Sequence, residues 1–107
     1  MHLGLIVETK DAESVWNGFR LANKALESGH SVDAFLLGDG VEATTVDTDA
    51  YNPAGVIRKF DTEGGELYAC GTCLDSRGLE VNELRPHSTM GDLLEIVETT
   101  DRTVTIG

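Results

Sequence analysis

Residues 3–40 read LGLIVETKDAESVWNGFRLANKALESGHSVDAFLLGDG. Leu3 to Val7 is an uninterrupted apolar run, the pattern of a strand covered on both faces. Asp11 then offers a helix N-cap. Val15, Phe19, Ala22 and Leu26 follow at spacings of four, three and four, which marks one face of a helix. Trp16 and Ala25 widen that stripe, and Gly29 supplies the stop. Ser31 to Leu37 is a second strand with five apolar residues, and Gly38-Asp39-Gly40 ends it with turn chemistry. Strand, helix and strand in that order predict a crossover unit with parallel strands.

Working outward, the alternation continues. Residues 41–52 are polar and predict a loop, with a short helical turn near Val41. Pro53 suits the first turn of a helix running to about Phe60. Gly64-Gly65 breaks the chain before a short strand, Glu66 to Cys70, and Gly71 to Gly78 provides the turn and helix after it. A short strand is expected around Val81 to Leu84. Pro86-His87-Ser88-Thr89 precedes a last helix, with Met90, Leu93, Leu94 and Val97 expected on its inner face. Arg102 to Ile106 turns Val104 and Ile106 inward and closes the sheet. There are no repeats or linkers. The pattern predicts one α/β domain over residues 1–107, a mainly parallel sheet with helices on both faces.

Composition narrows the function. The chain has 107 residues with 40% apolar content, enough for one modest core, so burial against a second copy would add stability. No apolar run approaches the ~20 residues of a membrane-spanning helix. The first eight residues lack a basic region and a cleavage site, and read as a strand. These features predict a cytoplasmic protein without a membrane partner. The formal net charge is -11, from 19 acidic and 8 basic residues. Such a surface repels phosphate backbones, which argues against nucleic acid. Only Lys10, Lys24 and Lys59 are lysines; this balance fits either a protein adapted to high salt or an ordinary acidic cytosolic one.

The segment that carries chemistry is Leu67-Tyr68-Ala69-Cys70-Gly71-Thr72-Cys73-Leu74-Asp75-Ser76-Arg77-Gly78. A cysteine at the carboxyl end of a parallel strand sits where open α/β sheets place ligands. The amides of the following helix favour a thiolate, so the expectation is a lowered Cys70 pKa. Gly71 lets the backbone come close, and the Thr72 hydroxyl is free to donate or cap. Cys73, one turn on, falls on the same side and can resolve a disulfide or persulfide formed on Cys70. Arg77 is placed to bind an anionic substrate or to satisfy the last helix carbonyls. Arg58 and Lys59 are candidates for added charge at the same mouth. A C-x-x-C pair closes too short a loop to be an effective staple. One such pair with scattered His2, His30 and His87 falls short of a zinc signature, so no metal is expected; of the histidines, His87 is the possible site neighbour. The turn after the first strand reads Glu8-Thr9-Lys10-Asp11-Ala12-Glu13, which is no phosphate-binding Gly-rich loop, and no cofactor is expected.

Taken together, Phe35-Leu36-Leu37-Gly38-Asp39-Gly40-Val41, Gly29-His30-Ser31-Val32, and Cys70-Gly71-Thr72-Cys73 followed by Arg77-Gly78 resemble the DsrE/DsrF-like sulfur-relay family, which includes the TusD-type carriers. The resemblance runs over nearly the whole chain. It implies a five-stranded sheet flanked by helices, assembly into trimers or hexamers, and a persulfide on Cys70, which matches the family's cysteine before Arg-Gly. Cys73 departs from single-cysteine relay subunits and resembles small stand-alone members with a paired cysteine. The implied function is acceptance and onward transfer of sulfane sulfur, with donor and acceptor proteins or small sulfur species as partners. The alternatives are a dithiol oxidoreductase or redox sensor using Cys70 and Cys73, and a non-catalytic oligomer with inert thiols.

Overall fold

The computed structural model describes residues 1–107. Five strands form one sheet: β1 (His2–Val7), β2 (Ser31–Leu36), β3 (Glu66–Cys70), β4 (His87–Ser88) and β5 (Arg102–Ile106). Their spatial order is β4-β3-β2-β1-β5, and every neighbouring pair is parallel. Parallel pairing forces each connection to cross over the sheet. The connecting helices are α1 (Ala12–Glu27), α2 (Pro53–Thr62), α3 (Gly71–Ser76) and α4 (Met90–Thr99), with a 3-10 helix over Gly38–Thr45 between β2 and α2.

Helix α1 forms for the reasons legible in its sequence. The Asp11 carboxylate accepts from the Ser14 amide at 3.0 Å, and Val15, Phe19, Ala22 and Ala25 are buried. Helix α2 begins with the Asn52 side chain accepting from the Gly55 amide, with Pro53 in its first turn. The two helices pack together through an edge-to-face pair, Phe19 and Phe60, with ring centroids 5.3 Å apart. Buried Asn23 ties them further by donating to the Val56 carbonyl at 3.1 Å. Leu3, Leu5 and Val7 of β1, with Val32, Ala34 and Leu36 of β2, are all buried in the same core. Each buried Leu or Val among them contributes about 1.5–3 kcal/mol.

The opposite face carries α4 alone. The helix starts with a reciprocal cap: the Asp92 amide donates to the Thr89 hydroxyl at 3.1 Å, and the Thr89 amide donates to the Asp92 carboxylate at 2.8 Å. It crosses β1 at Gly4, where an added Cβ would lie 3.1 Å from Ile96. This close approach selects the inward face of α4: Ile96 is buried and Leu93 half-buried, while Met90, Leu94 and Val97 are 60%, 58% and 48% exposed. Of the expected inner face, Leu93 does turn inward, while Met90, Leu94 and Val97 are corrected. Apolar residues lie on two sides of this helix, so periodicity alone cannot choose between them.

The region before α4 also differs. The expected strand at Val81 to Leu84 is absent; Asn82 and Arg85 form only an isolated antiparallel bridge. Asn82 instead folds the segment locally, its side-chain oxygen accepting from the Leu84 and Arg85 amides. The fourth strand is His87–Ser88, paired in register with Ala69 and Cys70 of β3. The expected loop after β2 is more ordered than its polarity suggests, because Val41 and Ala43 are fully buried and anchor the 3-10 helix. Gly40 explains its position: an added Cβ would meet the Val7 carbonyl oxygen at 1.9 Å. Only glycine lets this segment lie against the end of β1.

Candidate functional site

Cys70 is the last residue of β3 and immediately precedes α3. Cys73 lies on the first turn of that helix, three residues on, and both thiols are free. The helix splits their surroundings. Leu74 anchors it in the core. Gly71 and Asp75, four residues apart, share one flank. Cys73 and Arg77, also four apart, share the flank that meets the 3-10 helix.

On that second flank the Gly38 amide donates to Cys73 Sγ at 3.3 Å. Gly38 has φ +57, a left-handed conformation in which a side chain is strained. Arg77 closes the flank by donating to the Cys73 carbonyl at 3.2 Å and to Asp39 at 2.9 Å. Its Nε lies 3.5 Å from Glu42, which also pairs with Lys10 at 3.3 Å. The Arg77 guanidinium holds the Asp39 carboxyl below its usual value, and Asp39 in turn pushes Arg77 up. The two cations on this flank, Arg77 and Lys10, are matched by Asp39 and Glu42. Arg58 and Lys59, expected to contribute, are engaged by Glu83 and Glu27 instead.

On the first flank the His87 imidazole rests on Gly71. A Cβ there would fall 2.0 Å from the ring. His87 Nε2 is 3.7 Å from the Asp75 carboxylate. The neighbour suggested by sequence is therefore present, brought in by β4, although it touches α3 at Gly71. Thr72 is exposed at the head of the helix. Its hydroxyl caps nothing, since the N-cap position belongs to Cys70 and shows no side-chain hydrogen bond.

The two cysteines differ in burial. Cys70 is 5% exposed and belongs to the main core cluster, whereas Cys73 is half-buried. Burial, and after it the adjoining Cys73 thiol, push the Cys70 thiol up; the Cys73 and Thr72 amides pull the other way without reversing it. The expected lowered Cys70 pKa is thus corrected. The free amides of α3 do point at that sulfur, but removing it from water disfavours the anion more. No group of three His, Cys, Asp or Glu side chains is placed to hold a metal ion.

Gly38 and Glu42 are the site residues that sequence reading missed. Gly38-Asp39-Gly40 carried a turn signal, and nothing in the spacing told that this turn lies against a helix more than thirty residues later.

Known proteins agree with this architecture. A crystal structure of the ychN protein from E. coli superimposes with a TM-score of 0.83, at 25% identity, covering 99% of this chain and 100% of that one. An uncharacterized protein of Methanocaldococcus jannaschii is 29% identical, with 87% of each chain covered. The model of the DsrE/DsrF-like family matches residues 1–106, and the chain belongs to that family.

Proposed function

We propose that this chain is a sulfur-handling protein that accepts sulfane sulfur as a persulfide at the Cys70–Cys73 pair and passes it to a thiol acceptor. The observation that carries this reading is the pair of free thiols at the carboxyl end of β3 and the first turn of α3, one of them within reach of solvent. A thiolate there can attack a sulfane donor, and the second thiol can displace the bound sulfur afterwards. Membership of the DsrE/DsrF-like family supports a sulfur-relay role in general. The proposal sets the protein in a reducing cytoplasm, where both cysteines stay free. No helix is long and apolar enough to cross a membrane.

The test is mass spectrometry of reduced protein after exposure to polysulfide. The expected result is a gain of one sulfur atom that is reversed by dithiothreitol and absent when both cysteines are serine. Wild-type protein that neither gains such mass nor releases sulfide rules the reading out.

Adjacency of the thiols also suits a dithiol–disulfide couple. Measuring the reduction potential separates the two, since a value far outside the cytosolic glutathione range removes a redox role.

The partner in assembly is a second copy of this chain. Met90, Leu94 and Val97 form an exposed apolar stripe on α4, of the kind that marks an interface, and a core of this size gains from covering it. The family resemblance implies a trimer or hexamer.

A further inference from the structure

The pair is not symmetric, and the asymmetry runs against the assignment suggested by the resemblance. We propose that Cys73 is the thiol that first receives sulfur, with the Gly38 backbone amide as its fixed hydrogen-bond donor, and that Cys70 is the buried resolving thiol. The inference rests on the persulfide reading above and assigns its two steps to atoms.

Three observations carry it. The first is access: a donor persulfide must approach the receiving sulfur along the line of the bond to be broken, and Cys73 is the more exposed residue of the two, half-buried where Cys70 is 5% exposed. The second is the Gly38 amide, which donates to Cys73 Sγ at 3.3 Å from a different element. Hydrogen bonding to a thiolate stabilises it, and the developing charge on this sulfur has a donor already in place. The third is the anchoring of that donor. Gly40 seats the 3-10 helix on the Val7 carbonyl, and Asp39, next to Gly38, is joined to Arg77 on the Cys73 flank of α3. Cys70 has only amides of its own helix and lies among core side chains.

The chemistry then runs in two balanced steps. Cys73 thiolate attacks the outer sulfur of a donor R–S–SH. A Cys73 S–S bond forms, the donor S–S bond breaks, and RS⁻ departs with the electron pair, leaving Cys73–S–SH. The persulfide is then taken by an acceptor thiol or resolved internally. In the second route Cys70 attacks Cys73 Sγ, the Cys70–Cys73 disulfide forms, and the outer sulfur leaves with the thiol proton as hydrogen sulfide. The sulfane sulfur is reduced by two electrons and the dithiol is oxidised by two. A low-molecular-weight thiol returns the pair to the reduced state.

Two measurements test the assignment. Wild-type protein is treated with substoichiometric iodoacetamide and mapped by peptide mass, where Cys73 should be modified at least about tenfold faster than Cys70, following its greater exposure. Separately, reduced Cys70→Ala, Cys70→Ser and Cys73→Ser variants are exposed to polysulfide. Sulfur retained by both Cys70 variants and lost from Cys73→Ser is the expected outcome. A persulfide on wild type that survives Cys73→Ser and disappears in both Cys70 variants overturns the assignment while leaving the carrier function intact. Equal or faster alkylation of Cys70 overturns it as well, and the alkylation arm needs no variant to fold. Wild-type protein that neither gains sulfur nor releases hydrogen sulfide with formation of the Cys70–Cys73 disulfide removes the carrier function and this inference together.

Discussion

Two glycines meet an obstacle at nearly the same distance, yet alanine should affect them very differently. At Gly40 an added Cβ would lie 1.9 Å from the Val7 carbonyl oxygen and 2.8 Å from its carbon. At Gly71 the added atom would lie 2.0 Å from the His87 ring. Neither contact is tolerable, since side-chain carbons essentially never come within 3.0 Å of other heavy atoms. Both sites therefore need a movement of about 1 Å. At Gly40 the obstacle is backbone: the Leu37 amide donates to that same Val7 carbonyl at 2.9 Å, and Val7 is paired in register with Leu36 and Ile106. Relief means separating the 3-10 helix from β1 and disturbing fully buried Val41 and Ala43. Overpacking of a close-packed interior without an easy escape costs about 3 kcal/mol, or roughly 12 °C or more in Tm for a domain of this size. At Gly71 the obstacle is an imidazole with 52% of its side chain exposed, which can turn into solvent for under about 1 kcal/mol. Urea and thermal unfolding of Gly40→Ala and Gly71→Ala provide the comparison. A Gly40→Ala variant no less stable than Gly71→Ala would refute the view that Gly40 is the hinge pin between β1 and the segment that carries Gly38.

Thr89→Ala removes one half of the α4 capping box and should cost about 1 kcal/mol; unchanged amide exchange at the start of α4 would contradict this. Burial raises the Cys70 thiol above its ordinary value, so in Cys73→Ser its alkylation should rise only at pH values beyond those that suffice for free cysteine. The linked stability has the corresponding sign. A raised folded-state pKa means the unfolded chain loses its proton first, so the Cys70 contribution is whole below the ordinary thiol value and declines as pH climbs above it. Stability that increases across that alkaline window, after correction with Cys70→Ala, would contradict the assignment. Leu94→Glu places a charge in the exposed stripe of α4 and should shift the protein toward monomer with its circular dichroism unchanged. Wild type that remains monomeric at high concentration in light scattering would exclude the α4 interface.

Sequence by itself determined the parallel α/β plan, because β1 carries a continuous apolar run from Leu3 to Val7, β2 is mostly apolar from Val32 on, and each long helix carries its own cap and apolar stripe. Asp11, Asn52 and the Thr89 cap act through residues three positions away, and such local chemistry is legible along the chain. The cysteine pair was equally legible, since the turn after β3 is local too. Which face of α4 points inward was not, because Gly4 selects Ile96 from across the sheet. Nor was the fourth strand, since His87 and Ser88 are strand only by virtue of Ala69 and Cys70 beside them. Only the tertiary structure decided how the two sulfurs differ: burial is a property of the assembled core, and the amide that Cys73 accepts from belongs to Gly38, thirty-five residues earlier. Helix-end dipoles can be anticipated from sequence; the exclusion of water that outweighs them at Cys70 arises when distant elements close around it.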